Sequence, residues 1–207
     1  MAKCPYNRMK KQKTQNKKQQ KGFTVIEMMV AVALFAVVML VSAGALISLT
    51  TANRKAQALQ SVMNNLNVTL DSMVRSMRAG STFHCGPGGS LSLPQDCSNG
   101  NTYFAFESHG GSSLTTTDQH VYSFVPPTGS ANGYIQRSED GGATWVRITA
   151  PEISITDMQF YVVGTTRGDT VQPKAVIEVR GVAGGLNTKL TSTFHIQATA
   201  VQRILDL

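Results

Sequence analysis

From Phe23 to Leu49 the chain reads FTVIEMMVAVALFAVVMLVSAGALISL, an apolar run with one charge, Glu27. A helix over residues 28–49 is roughly 33 Å long at ~1.5 Å per residue, enough for a bilayer core of ~30 Å. Beyond it the pattern becomes amphipathic. Leu59, Met63, Leu66, Leu70, Met73 and Met77 recur at alternating spacings of four and three, which predicts one apolar stripe on a helix over 53–79. No Pro or Gly interrupts residues 45–79, so span and stripe read as one continuous helix, with Gly80 as its stop and Gly44 as a point where it bends or softens. The short run of heptads suits packing on a sheet better than a coiled-coil seam.

The period then changes. Residues 80–102 and 108–119 are rich in Gly, Ser, Thr and Asn and read as loops. Strand candidates fall at 103–107, 120–125, 134–137, 144–149, 153–163, 174–182 and 189–199, with Pro126-Pro127 and Pro151 at strand ends and a hairpin turn at Gly184-Gly185. Helix first and strands second make an α+β fold, a long N-terminal helix packed on an antiparallel sheet. The expected organisation is a basic leader over 1–22, a membrane-capable segment over 23–52, an amphipathic continuation over 53–80 and a β-rich head over 81–207.

Charge changes this picture in one place. The chain of 207 residues carries a net +7, yet eight of its 19 basic residues lie in residues 1–22, where no acid occurs. Residues 23–207 keep eleven basic residues against all 12 acidic ones, a net of −1. A nucleic-acid-binding head has no bulk electrostatic support from that balance. A basic tail before an apolar span instead places the N-terminus in the cytoplasm and everything after residue 52 across the membrane. An ordinary signal peptide is the alternative, since Ser42-Ala43-Gly44-Ala45 passes as a cleavage site and gives a mature start near Leu46. Such apolar regions run only ~7–15 residues, and the length here favours a span.

Glu27 is the residue with a cost to explain. A carboxylate at the centre of a span costs ~2.5–3.5 kcal/mol on insertion scales and usually marks function. Near the interface it can instead snorkel to the headgroups. Lys21-Gly22-Phe23-Thr24-Val25-Ile26-Glu27 and the run behind it resemble the processing signature of type IV pilins and type II secretion pseudopilins. The resemblance implies a cut by a membrane-embedded prepilin peptidase between Gly22 and Phe23, N-methylation of Phe23, and pairing of Glu27 with the N-terminal amine of a neighbouring subunit. The chain with its leader is then the precursor. The physics is consistent: glycine lets an extended backbone enter a protease cleft, and a carboxylate and an ammonium in a filament core are each expensive unless paired.

The same resemblance implies partners. They are the peptidase, other pilin or pseudopilin subunits, a membrane assembly platform and the lipid bilayer, with a cargo protein or DNA for subunits at a filament tip. The number and length of the late strands incline the reading to a minor rather than a major subunit. The rival of another class is a secreted hydrolase or adhesin.

Cys4 lies in the leader. Cys85 and Cys97 lie beyond the span, where a disulfide can form across their Gly/Pro/Ser-rich loop, or two thiols stay free. A metal is not expected there, because His84 is the only other nearby ligand candidate. Ser138-Glu139-Asp140-Gly141-Gly142-Ala143-Thr144-Trp145 resembles the Asp-box of sialidase-like propellers, a structural turn. Asp140 is expected to bind turn amides, Gly142 to take positive φ and Trp145 to pack nearby. Arg167-Gly168-Asp169 reads as a turn, and Asn67-Val68-Thr69 falls within the predicted helix. His84, His109, His120 and His195 are scattered, and Asp118, Glu139, Asp140 and Asp157 lack calcium-loop spacing. No catalytic constellation and no cofactor motif is present, so the expected role is structural rather than enzymatic.

Overall fold

A computed structural model describes residues 22–112, 114–183 and 191–203. Residues 1–21 of the expected leader and the Gly184-Gly185 turn lie outside the described residues. The chain divides into two compact units, Met1–Ser48 and Leu49–Leu207.

One helix, α1 (Val25–Ala79), runs 55 residues. Its start follows from Thr24, whose hydroxyl accepts the Glu27 amide at 3.3 Å while its carbonyl accepts the Met28 amide at 3.2 Å. This is an N-cap, which satisfies donors that have no partner inside the helix. Gly44 does not break it. At the other end the Gly80 amide donates to the carbonyls of Ser76 and Met77, both at 3.1 Å. A methyl added at Gly80 would overlap the Phe106 ring and the Glu107 carbonyl, so close packing requires glycine there.

In the second unit, α1 buries Val62, Leu66, Thr69, Leu70, Met73 and Met77. Leu59 and Met63, also on the expected stripe, are only partly buried at its edge. The stripe is covered by two antiparallel sheets, where the sequence suggested one. The first has the order β1 (Ser81–Cys85), β3 (Tyr103–Glu107), β4 (Gln119–Val125), β5 (Tyr134–Ser138) and β6 (Val146–Arg147). The second has the order β2 (Cys97–Asn101), β7 (Ile153–Val163), β8 (Lys174–Ala183) and β9 (Ser192–Val201).

Two expectations are corrected. Residues 80–102 are not all loop, because β1 and β2 lie within them. Ladder bonds are made by backbone, so a polar segment such as Cys-Ser-Asn-Gly-Asn can pair at an edge without an apolar signature. The strand expected at 144–149 shrinks to two residues. The Asp140 carboxylate takes the Thr144 amide, and the Arg147 side chain bends to the Thr149 carbonyl at 2.8 Å.

β7 shows how pattern sets register. Its apolar positions are Ile153 and Ile155, then Met158, Phe160 and Val162, a shift from odd to even numbers. Alternation through the strand would turn one set outward. A bulge between Ile155 and Asp157 changes phase, and all five are buried. At Gly181 on β8 an added methyl would run into the Phe194 ring and the Ser154 carbonyl, so the central strand needs glycine for close approach.

The two sheets meet at aromatic rings. Phe104 of β3 stacks on Phe160 of β7 at 5.3 Å and on Phe106 at 5.8 Å, and meets Phe83 edge-on at 5.2 Å. The Cys85–Cys97 disulfide joins β1 of one sheet to β2 of the other, with Cα atoms 5.7 Å apart. Sequence suggested a clasp on a single loop, whereas the bond staples two sheets.

Candidate functional site

The first unit exposes what a folded chain normally hides. Phe23, Val25, Ile26, Leu40 and Val41 are 69–79% exposed, and none of the most apolar 18-residue window is buried. Transfer of apolar surface out of water is worth ~25 cal/mol per Å², so a helix that is apolar on every side and uncovered among the described residues gains by entering lipid or packing on other helices. Val25, Met28, Met29, Val32, Ala33 and Ala36 line one shallow groove, where the alanines leave room for a neighbouring rod.

Glu27 lies in the first turn of α1 and is exposed. Gly22 and Phe23 precede the helix, so the bond between them lies outside its hydrogen-bonded turns. Ser42, Ala43, Gly44 and Ala45, the alternative cleavage site, sit inside continuous helix. Thr24 was not singled out from sequence, although Thr24-Val25-Ile26-Glu27 has the capping-box pattern, Thr and Glu three apart before an apolar run. Glu27 thus lies at the positive end of the helix, where a carboxylate is favoured.

The other sequence-marked residues lie in the second unit and do not join this site. His84 is 1% exposed, with Nδ1 2.7 Å from the Leu93 carbonyl and Nε2 2.9 Å from the Gly88 carbonyl. Both ring nitrogens face backbone carbonyls of the Cys85–Cys97 loop. The Gln95 side chain adds a bond to the Cys85 carbonyl at 2.8 Å. The same loop residues escaped sequence reading because their partners are carbonyls, which carry no sequence signal.

Asp140 organises its turn. Oδ1 accepts from the Ser138 hydroxyl at 2.6 Å and the Thr144 amide at 2.8 Å, and Oδ2 accepts from the Thr144 hydroxyl at 2.6 Å. Gly141 and Gly142 take φ of 69° and 98°. Trp145 packs edge-on against Tyr103 at 6.4 Å. Hydrogen bonds from Ser138 and Thr144 draw the Asp140 carboxyl from 3.8 down to about 2. A depressed folded-state value means that the turn is supported above the unfolded value near 3.8 and loses that support as pH falls through about 2. Amide exchange at Gly142 and Thr144 is therefore expected to quicken relative to the β7–β8 ladder between pH 4 and about pH 2. Uniform behaviour of turn and ladder across that window would show that the carboxylate does not hold the turn.

The remaining motifs are structural. Arg167 donates to the Thr82 hydroxyl at 3.2 Å, where Thr82 has a φ of 52°, and Asp169 accepts the Val171 amide at 2.7 Å. Thr69 is inside α1 and donates to the Asn65 carbonyl at 2.9 Å. His195 meets Glu178 at 2.7 Å, with Arg180 on the same carboxylate oxygen, a cross-strand polar cluster on the outer face of the second sheet.

An uncovered apolar helix in one unit and a helix packed under antiparallel sheets in the other make, over the described residues, a membrane-capable helix followed by an α+β head. Residues 17–43 match the family model of the prokaryotic N-terminal methylation motif, the prepilin signal of type IV pilins and pseudopilins. Motif and helix together fit a type IV pilin-like subunit, anchored in the inner membrane, processed by a peptidase and assembled with other subunits. The motif indicates a structural role rather than an enzymatic one. Comparison with curated proteins and with solved structures gave no match.

Proposed function

We propose that this chain is a minor subunit of a type IV pilus or a type II secretion pseudopilus. Residues 1–22 are the cytoplasmic leader, and 23–52 anchor the precursor with its head across the membrane. The peptidase cuts between Gly22 and Phe23, and the new amine of Phe23 is methylated. On transfer into the filament, Glu27 pairs with the Phe23 amine of a neighbouring subunit, which offsets the cost of both charges in a low-dielectric core. An assembly platform moves the subunit from lipid to filament, and a cargo protein or DNA is the further partner of a tip position.

The observation that carries this reading is the α1 segment from Val25 to Leu49, exposed throughout and interrupted by the one carboxylate at Glu27. Among the described residues, nine strands in two sheets support the choice of a minor subunit, since they make a larger head than a bare fibre contact needs.

N-terminal mass spectrometry of native material tests it. The expected mature chain begins at N-methylated Phe23. A start near Leu46 would turn the reading to a secreted protein, and assembled chains that keep residues 1–22 would refute it. Immunoblots of sheared filaments should show a substoichiometric component. A band matching the bulk of the fibre would make it the major subunit.

A further inference from the structure

Each sheet has two edges, and among the described residues three of the four are blunted. On β1 the Gln95 backbone takes the outer side: the Cys85 amide donates to the Gln95 carbonyl and the Gln95 amide to the Phe83 carbonyl, both at 3.0 Å. β2 is five residues long, and its pairing with β7 is irregular between Cys97 and Asn101. β6 is two residues long. Short strands, irregular pairing and covering chain protect a sheet edge, whose unpaired N–H and C=O groups otherwise recruit a further strand.

β9 has none of these protections. Its ten residues, Ser-Thr-Phe-His-Ile-Gln-Ala-Thr-Ala-Val, pair in unbroken register with β8 on one side. Among the described residues no strand pairs with the other side. The strand has no Pro or Gly, and no Lys, Arg, Asp or Glu. Phe194, Ile196, Ala198 and Ala200 alternate towards the core, while Thr193, His195, Gln197, Thr199 and Val201 are exposed on the other face. Phe194 and Ala200 are buried, but Ile196 and Ala198, in the middle, are only partly covered. The apolar layer therefore stops short at this edge, and one more strand would complete it.

The strand is its own complement. In an antiparallel pair, residues directly opposite share a face. Turned about a two-fold axis at Gln197, β9 sets Phe194 opposite Ala200 of a second copy, and Ile196 opposite Ala198. Every pair on the core face then matches a large side chain with a small one, and no like charges meet. Since the other three edges are blunted, β9 is also the strand that a second copy has to offer among the described residues. We propose that β9 pairs with β9 of a second copy, antiparallel and centred on Gln197, so that the β2-β7-β8-β9 sheets of two chains become one. A self-complementary contact of this kind closes at two copies, which removes the edge from open-ended pairing. The pair goes beyond the reading of the chain as a filament subunit and does not rest on it.

The test uses the full chain in detergent micelles, with Cys4→Ser to remove the leader thiol, a mild copper oxidant, and single cysteines on the exposed face of β9. Gln197→Cys lies on the axis and should cross-link to itself, because directly opposite Cα atoms fall within the ~4.4–6.8 Å that a disulfide spans. Thr193→Cys and Val201→Cys lie off the axis. Each stands eight positions from its own copy along the strand, roughly 26 Å at ~3.3 Å per residue, and should give no dimer band alone. A mixture of the two should restore the band, because Thr193 faces Val201 of the second copy. Gln197→Lys and Gln197→Glu should each weaken association by about two- to fivefold in sedimentation, since like charges meet at the axis, and mixing them should restore it. Gln197 is exposed, so thermal midpoints should stay within about 2 °C, which separates lost pairing from lost folding. Equal cross-linking at all three positions would mean contact through the apolar helix alone. No cross-link at Gln197→Cys would leave the edge to a strand of a different protein. Either result would overturn the proposal.

Discussion

Glu27→Val is expected to enter the membrane at least as well as the unsubstituted chain and to fall at least about tenfold in sheared filaments. The two effects have opposite causes. In lipid the substitution removes a carboxylate that costs up to ~2.5–3.5 kcal/mol at depth, so insertion gains. In a filament it leaves the Phe23 ammonium of a neighbour without a partner, and breaking a buried pair from one side costs ~3–5 kcal/mol. Glu27→Asp keeps the charge on a stem one methylene shorter and should fall between the two. Glu27→Gln separates charge from helix capping, because glutamine serves as well as glutamate three residues after Thr24. Immunoblots of membrane and sheared fractions measure all three. Normal incorporation of the glutamine variant would show that Glu27 acts on its own helix only.

Phe104→Ala is expected to destabilise the head by about 3–5 kcal/mol. The ring is fully buried and touches Phe83, Phe106 and Phe160, so it fills the seam where the two sheets meet. Total stabilities run ~5–15 kcal/mol, and the loss is a large share of that. Chemical denaturation of the detergent-solubilised chain, followed by fluorescence of its single tryptophan, Trp145, reports it. Val146→Ala, at a side chain 63% exposed, should change stability by less than about 0.5 kcal/mol. A Phe104 cost below about 1 kcal/mol would mean that the seam repacks around the gap.

What could be read in advance shares one property: its physical cause is local in the chain. The span, the 59–77 stripe, the stop at Gly80, the Asp140 turn and the prepilin signal each depend on residues within a few turns or bonds of one another. Periodicity and spacing report such causes directly. The long strands β7 and β8 were also legible, since alternation marks burial, although the phase change at the Ile155–Asp157 bulge had its reason only in the partner strand.

Tertiary structure decided the rest, because there the cause is a partner distant in sequence. β2 pairs with β7 through backbone, and backbone looks the same in every residue. Division into two sheets depends on where Phe104 meets Phe160, 56 positions apart in the numbering. Cysteines 12 positions apart were visible as a pair, but not that they would bridge separate sheets. Glu107, Gly111 and Asp118 have no pattern in sequence, and only the hairpin sets two acids beside one glycine. Local chemistry made the anchor readable, while the head took its form from which surfaces could be buried together at once.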